Sequence, residues 1–286
     1  MLAIIGGTGI YQIDGLDVEQ EHDVDTPFGK PSAAIVQGNY SGQTILFLPR
    51  HGSGHQLLPH EVNYRANIWA LKSLGVTQIV GLSAVGSLQQ EIEPGHLAIA
   101  SQYFDFIKGN REKTFFGNGI AAHVSTAEPS CQHLADGIVS AANSLDASLE
   151  VTIHPNKTYA CVDGPRLGTK AESLFLKHAA GCDLVGMTNV PEAFLAREAQ
   201  ICYCTIGIST DYDCWQDDPS QHVSVDQVIS RYGASLEKAK SVLKAFIQQH
   251  QANENCSCRK ALASAILTPE SALSEDAKAL LEVLTK

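Results

Sequence analysis

The chain has 286 residues, of which 44% are hydrophobic, and a formal net charge of −11. A chain of this length can bury one large α/β core without metal or disulfide cross-links. The negative charge argues against a nucleic-acid or membrane partner, so a phosphate site would have to be a local positive pocket. No apolar run of about 18 residues occurs, and Met1 leads into an apolar strand without a basic leader, so we expect a cytoplasmic protein.

Short β-rich runs alternate with helical patterns along the chain. This alternation predicts an α/β fold with a parallel or mixed central sheet, helices on its faces, and ligands at the carboxyl ends of the strands. The predicted strands are 2–5, 33–37, 44–48, 78–83, 97–100, 158–162 and 201–209, and the predicted helices are 60–74, 170–180, 191–199 and 224–250.

The last of these helices is the strongest, and it is predicted to close the core. Its start carries a capping-box pattern at Ser224 and Gln227. We expect residues 1–250 to form the main domain. Residues 251–286 are predicted to be a linker and a short helical tail, either part of the same domain or an arm that contacts a neighbouring subunit.

The eight cysteines are too sparse for a secreted disulfide framework, and most are expected to be reduced. Cys256 and Cys258 lie in a polar stretch where burial is not expected. A vicinal disulfide and two unpaired surface thiols both remain open for this pair. His51, His55 and His60 lie in a Gly- and Pro-rich loop without a nearby Cys or a set of acidic ligands, so we expect no metal site.

Two carboxylates, Asp211 and Asp213, lie just past the apolar run 201–208. In an extended chain residues i and i+2 point to the same face, so both side chains can converge on one ligand at a strand's end. Crowded carboxylates raise each other's pKa, and a protonated Asp can donate a hydrogen bond to a leaving group or a ring nitrogen. A solvated acidic loop is the alternative.

A glycine-rich turn, Gly6-Gly7-Thr8-Gly9, follows the first predicted strand. Its glycines let backbone N–H groups turn toward an anion, and Thr8 adds a hydroxyl donor. A plain tight turn is the alternative. A dinucleotide fingerprint is incomplete, because Gln12 stands where its third glycine should be.

Two further patches combine small, polar or charged residues at predicted strand ends. Arg50 and His51 follow one strand, and the guanidinium fork suits phosphate, although a surface loop is the alternative. Ser83 and Ala84 come at the end of another strand, where a hydroxyl and little bulk leave room for an anion.

A third patch precedes the helix predicted at 191–199. Met187 offers an apolar surface and Thr188 a hydroxyl. Glu192 lies in the first turn of the helix, where a cap that complements the helix dipole and a ligand contact explain it equally well.

Taken together, these motifs resemble the trimeric purine nucleoside phosphorylase family, in the expected order from Gly6 to about His250. The resemblance implies a phosphorylase/hydrolase-like three-layer α/β fold with a central mixed sheet, and a homotrimer or dimer of trimers. The motifs are Gly6-Gly7-Thr8-Gly9, Thr26-Pro27-Phe28-Gly29, Arg50-His51-Gly52, Asn63-Tyr64-Arg65-Ala66-Asn67, Gly164-Pro165-Arg166, Met187-Thr188 with Val190-Pro191-Glu192, and Thr210-Asp211-Tyr212-Asp213.

Within the family the chain is similar to members that cleave the N-glycosidic bond of 5′-deoxy-5′-methylthioadenosine with phosphate, giving adenine and 5-methylthioribose 1-phosphate. The resemblance implies no cofactor, since inorganic phosphate is a co-substrate. It places phosphate at Thr8, Arg50, His51, Ser83, Ala84 and Thr188, with His51 and Asp211 as the catalytic residues.

The resemblance also assigns the substrate contacts. Met187 is expected under the ribose, and Asp211 and Asp213 are expected to face the purine. A protonated Asp211 would donate to N7 and an ionised Asp213 would accept from the 6-amino group, which predicts a preference for adenine nucleosides. Relatives that take 6-oxopurines typically carry Asn at the first Asp. A purine nucleoside or methylthioinosine phosphorylase of broader specificity remains the alternative.

The remaining contacts concern the 5′ end and the purine face. Val225 matches a position that lines the methylthio pocket, and His123 matches a His that reaches this pocket from a neighbouring subunit, with a solvent-exposed loop His as the alternative. Leu167 stands where relatives commonly carry Phe stacked on the purine, and Gly168 where Ser or Thr is usual. Leu167 can still cover the base without aromatic stacking.

Overall fold

The computed structural model describes residues 1–7, 15–217 and 225–286, with side chains described from 232 onward in the last range. Within these ranges the strands are β1 Leu2–Gly6, β2 Asp17–His22, β3 Ile35–Tyr40, β4 Gln43–Pro49, β5 Gln78–Ser87, β6 Leu97–Asp105, β7 Ile153–Cys161, β8 Leu184–Gly186 and β9 Cys202–Asp211. The helices are α1 Tyr64–Ser73, α2 Gln132–Asn143, α3 Lys170–Leu174, α4 Asn189–Glu198, α5 Val225–Gln249 and α6 Glu275–Thr285.

The strands form one mixed sheet in the order β2-β3-β4-β1-β5-β8-β7-β6-β9, and β5 pairs additionally with β9. The first part of β5 lies between β1 and β9, both parallel to it. Its last residues, Gly86 and Ser87, pair with β8 in the antiparallel sense. The β5–β9 pairing closes β5, β8, β7, β6 and β9 into a ring, so the carboxyl ends of β5 and β9 lie side by side.

Helices cover both faces of the sheet. On β1, Leu2 and Ile4 pack in the cluster that contains α2 and α5, whereas Ala3 and Ile5 pack in the cluster that contains α1 and α4. Successive residues of a strand point to opposite faces, and both faces of β1 are apolar because both are covered. The three-layer α/β fold with a mixed central sheet is therefore confirmed.

Several boundaries differ from the sequence prediction. Helix α1 begins at Tyr64 rather than at residue 60, because the Asn63 side chain accepts a hydrogen bond from Ala66 N and caps the helix there. Strands β2 and β8 and helix α2 were not predicted. The N-cap of α2 is Cys131, whose side chain makes no capping bond, and the helix contains Gly137, so both usual helix signals are weak.

The C-terminal tail packs on the same chain. Helix α6 contacts α1. Leu262, Ala265 and Leu284 are buried in the cluster that α1 and α4 form on the sheet. Among the described helices, none is both long and apolar enough to cross a membrane.

Candidate active site

The predicted site residues that the structure describes gather mainly along the second half of β5. Arg50 follows β4, Thr188 precedes α4, and Asp211 ends β9. Ser83 and Ala84 were expected at the end of a strand, but β5 continues through them to Ser87. Their position inside the strand makes β5 the floor of the site, and Ala84 is exposed while Ser83 is buried.

Arg50 is buried and makes a bidentate ion pair with Glu192. Its Nε lies 2.6 Å from Glu192 Oε2 and its Nη2 lies 2.7 Å from Glu192 Oε1. A third donor, Nη1, binds Leu82 O at 2.8 Å. The sequence predicted that the Arg50 guanidinium would bind phosphate, but in the structure it binds Glu192. Glu192 is neither a simple cap nor an exposed ligand contact, because its carboxylate neutralises Arg50.

A buried polar network holds this ion pair in place. The Tyr203 hydroxyl donates to Glu192 Oε1 at 2.7 Å and accepts from Asn189 Nδ2 at 2.7 Å. The Thr205 hydroxyl donates to the Tyr203 hydroxyl at 3.0 Å. Gly81 makes room for this arrangement, since a Cβ there would lie 2.6 Å from the Tyr203 hydroxyl. Interlocked bonds of this kind fix Glu192, and through it Arg50.

His51 is held as a neutral imidazole of defined tautomer. Its Nδ1 lies 2.8 Å from Leu57 O, and a carbonyl oxygen can only accept, so Nδ1 carries the hydrogen. Burial, reinforced by the Arg50 charge, lowers the pKa of His51 to about 4. At neutral pH the other ring nitrogen, Nε2, is consequently a hydrogen-bond acceptor.

Ser83 and Thr188 meet at the Tyr159 hydroxyl. Ser83 Oγ lies 3.1 Å from it, and the Thr188 N–H donates to it. The Thr188 hydroxyl oxygen is buried and has no hydrogen-bond partner among the described residues. A buried hydroxyl without a partner is costly, so this atom is suited to receive a ligand.

Asp211 and Asp213 do converge, but the reason differs from the sequence argument. β9 ends at Asp211, and Asp213 has a positive φ of 51°, so strand alternation no longer applies at Asp213. A turn brings them together instead: Asp213 N–H donates to Asp211 Oδ1 at 2.7 Å. The Thr210 hydroxyl donates to Asp211 Oδ2 at 2.6 Å. Both carboxylates are buried.

The side chains of Asp211 and Asp213 both pack beside Gly86 of β5. A Cβ on Gly86 would lie 3.1 Å from Asp211 Oδ1 and 3.1 Å from Asp213 Cβ. Burial raises the pKa of Asp213, against hydrogen bonds from Cys214 that lower it. This shift moves Asp213 toward the protonated form that can donate a hydrogen bond.

The residues expected to cover the base and the ribose lie nearby. A Cβ on Gly168 would be 3.9 Å from both Asp213 carboxylate oxygens, and the neighbouring Leu167 is exposed. Met187 is half-buried, with its sulfur 2.5 Å from where a Cβ on Gly164 would stand. Gly168 therefore lies beside the carboxylate of Asp213, and Met187 packs beside Gly164.

Three predicted site residues are not assembled here. Thr8 lies outside the described residues, and so do the side chain of Val225 and the capping-box residue Ser224. His123 is exposed, and its backbone N–H donates to Ala265 O at 2.9 Å, so its contact is with the C-terminal tail.

Sequence reasoning missed Arg111. Its Nη1 donates to Met187 O and to Val190 O, both at 2.8 Å, and its Nη2 donates to Asp163 O at 2.8 Å. Buried arginine bridges of this kind fix loops relative to each other. Arg111 lies in a polar segment without a motif, so the sequence carried no signal for it.

The comparisons with known proteins agree with this geometry. Residues 1–248 match the model of the phosphorylase superfamily. The S-methyl-5′-thioadenosine phosphorylase of Geobacter sulfurreducens is 44% identical over 99% of this chain and 97% of its own length. That of Nitrosopumilus maritimus is 46% identical over 92% of this chain and 97% of its own length.

Solved structures are similar over nearly the whole chain. A methylthioadenosine phosphorylase from an antarctic soil metagenomic library superimposes with a TM-score of 0.90 at 42% identity, covering 99% of this chain and 98% of that one. The methylthioadenosine phosphorylase of Schistosoma mansoni in complex with adenine gives 0.84 at 35% identity, covering 94% and 99%. With the fold, the site geometry and these matches in agreement, the chain belongs to the phosphorylase superfamily.

Proposed function

We propose that this protein cleaves 5′-deoxy-5′-methylthioadenosine with inorganic phosphate, giving adenine and 5-methylthioribose 1-phosphate. The names of the similar proteins support this activity. The observation that carries it is the buried Thr188 hydroxyl, which has no hydrogen-bond partner among the described residues. The Thr188 backbone and the Ser83 hydroxyl both lie beside the Tyr159 hydroxyl. Ser83 and Gly86 are three residues apart on β5, about 10 Å along a strand, which leaves room for a nucleoside between this hydroxyl and the two carboxylates.

Phosphate is proposed to bind at Thr8, Arg50, His51, Ser83, Ala84 and Thr188. The Glu192 carboxylate already compensates the charge of Arg50, so this subsite holds dipoles and hydroxyls but little net positive charge. The negative charge of phosphate is then balanced only in the transition state, when the sugar becomes a positively charged oxocarbenium ion. Such an interaction is stronger in the transition state than in the ground state, which is the condition for catalysis.

His51 is proposed to act on phosphate through Nε2. Because Nδ1–H is held by Leu57 O, Nε2 can accept the hydrogen of a phosphate hydroxyl. That bond orients the phosphate and increases electron density on the oxygens that face the sugar. No resident cofactor is required in this scheme.

Asp211 and Asp213 are proposed to receive the departing purine. The sequence assigned proton donation to Asp211, and burial raises the pKa of its neighbour Asp213. We therefore assign the proton that goes to N7 to the pair rather than to one member. The carboxylate that stays ionised accepts from the 6-amino group. Leu167, Gly168 and Met187 are proposed to cover the base and the ribose.

The 5′ pocket is proposed to need a second subunit. His123 of this chain is exposed, and its backbone contacts the C-terminal tail, which leaves its side chain available to a neighbouring subunit. We further propose a cytoplasmic homotrimer or dimer of trimers in which His123 reaches the pocket that Val225 lines. Residues 251–286 are proposed to belong to the same domain, supported by the burial of Leu262 and Leu284.

The test is adenine release from 5′-methylthioadenosine with and without phosphate, run beside methylthioinosine and inosine. Phosphate-dependent cleavage of the adenine nucleoside is the expected result. Cleavage of the 6-oxopurine nucleosides alone would mean that the reaction is right and the assignment of the Asp pair is wrong. Cleavage that ignores phosphate would overturn the proposed phosphate subsite.

A further inference from the structure

Four cysteines from distant parts of the chain meet outside the candidate active site. They are Cys131, Cys202, Cys256 and Cys258, and their sulfur atoms all lie within 4.8 Å of one another. We propose that this cluster is a zinc site that fastens the C-terminal segment to the core.

The four cysteines come from segments that are far apart in the sequence. Cys131 is the N-cap of α2, Cys202 is the first residue of β9, and Cys256 and Cys258 lie just after α5. Cys258 is buried and Cys256 is half-buried, so neither is a fully exposed surface thiol. The polar stretch around them is folded onto an apolar part of the core, which its composition did not indicate. The expectation of no metal site considered only His51, His55 and His60 and did not foresee this cluster.

The sulfur positions fit a tetrahedral metal. Zinc binds thiolates at about 2.3 Å, so the sulfurs of a regular tetrahedron stand about 3.8 Å apart. The distance from Cys131 Sγ to Cys256 Sγ is 3.7 Å. The longest sulfur–sulfur distances, up to 4.8 Å, would shorten to about 3.8 Å with small side-chain rotations. All eight cysteines of the chain are free thiols in the structure, so each of the four has a sulfur to offer.

The surroundings suit the charge of such a centre. Zinc with four thiolates carries a net charge of −2, and Arg197 Nη1 lies 3.2 Å from Cys258 Sγ. A cation beside the sulfurs stabilises bound thiolates. Thiols that are protonated before binding release their protons to solvent as the metal binds.

The position of the cluster assigns it a structural rather than a catalytic role. Cys202 and Asp211 are at opposite ends of β9, about 30 Å apart along an extended strand. The site joins the start of α2 and the start of β9 to the segment that leads into the tail. Metal binding of this kind contributes directly to folding free energy.

The first experiment is elemental analysis of the full-length protein after loading with zinc and removal of free metal. We expect about one zinc per chain. Cobalt in its place should give the intense sulfur-to-cobalt charge-transfer absorption of tetrahedral thiolate sites. Zinc content far below one per chain would overturn the proposal, and so would a cobalt spectrum without charge-transfer bands.

A matched pair of variants tests the ligand set. Cys202→Ser should lose the zinc, whereas Cys204→Ser should retain it, because Cys204 lies two residues further on the same buried strand but outside the cluster. Equal zinc content in the two variants would contradict the assignment. Should Cys202→Ser fail to fold, Cys256→Ser, at a half-buried position, takes its place against the same control.

Thiol titration in denaturant with a chelator separates zinc from disulfides without any variant. Eight reactive thiols are expected, since the chain has eight cysteines. A count lower by two or more would show that cysteines pair as disulfides, and loss of such a pair from the cluster would overturn the zinc site. None of these readouts depends on the proposed phosphorolysis.

Discussion

Arg50 and Glu192 form a bidentate ion pair from which water is excluded, with side chains that are 2% and 1% exposed. Arg166 and Glu172 also form a bidentate pair, through Nη1 and Nη2 at 2.8 and 2.7 Å, but the Arg166 side chain is 64% exposed. The two pairs differ mainly in their exposure to solvent, and this exposure determines how much stability is lost when one partner is removed.

Glu192→Gln should therefore destabilise the fold strongly. The substitution leaves the Arg50 charge buried without a counter-charge, and removal of one partner of a buried pair typically costs about 3–5 kcal/mol. Urea unfolding of the variant measures the loss. Glu172→Gln is the control, for which we expect a much smaller loss because water replaces the missing partner. Similar losses in the two variants would contradict the importance of burial at Glu192.

Asp211→Asn should shift base preference toward 6-oxopurines. An amide at this position can donate to a 6-oxo group, where a carboxylate can only accept. The ratio of kcat/KM for methylthioinosine to that for methylthioadenosine should rise about tenfold or more. This ratio is its own control, because a general loss of folding lowers both values together. An unchanged ratio would remove Asp211 from base recognition.

The strands of the sheet could be predicted where both of their faces are buried, because such strands carry runs of apolar residues. Strands such as β1, β4 and β9 are nearly all buried and rich in apolar residues. β2 was not predicted because almost all of its residues are exposed and its sequence carries no apolar pattern. α2 was missed for a physical reason: Gly137, which weakens a helix prediction, is where the Phe246 ring of α5 comes within 3.0 Å of a Cβ position.

Site residues could be predicted where the residue type itself indicates the chemistry. They could not be predicted where contacts between distant parts of the chain determine a residue's partner. Asp211 and Asp213 were found, but the turn that joins them was not. Glu192 was seen only as a local helix feature, because its partner Arg50 lies 142 residues away. The four clustered cysteines come from three separate segments, so no spacing rule could have identified them.

His51 should make stability pH-dependent on the acid side. Its pKa is about 4 in the folded protein against an ordinary value of 6.5, so between these values the unfolded chain binds more protons. Stability from this group is therefore present above pH 6.5 and is lost as pH falls toward 4. His51→Asn keeps an N–H for Leu57 O but does not titrate.

The measurement for His51 is the difference in unfolding free energy between the wild type and His51→Asn, from pH 7 to pH 4.5. We expect the wild type to lose stability relative to the variant as pH falls. The difference is more informative than either curve, because His250, with a pKa also lowered to about 4, and Glu198, with a pKa raised to about 7, titrate in both proteins. A constant difference would show that His51 is not held neutral.

Thr188→Val should weaken phosphate use without weakening the fold. The substitution preserves shape and removes a hydroxyl that has no partner among the described residues, so the free energy of unfolding should stay the same or rise slightly. A hydrogen bond to a charged ligand is worth about 1.5–3 kcal/mol, so kcat/KM for phosphate should fall by roughly 10- to 150-fold.

Thr205→Val is the matched control for Thr188, because the Thr205 hydroxyl is equally buried but is bonded to Tyr203, Tyr103 and Asn189. Its loss leaves buried partners unsatisfied and should lower stability by about 1–3 kcal/mol. Steady-state kinetics with varied phosphate and urea unfolding, applied to both variants, separate the two effects. A stability loss in Thr188→Val as large as that in Thr205→Val, with phosphate kinetics unchanged, would show that the Thr188 hydroxyl serves the fold and that phosphate binds elsewhere.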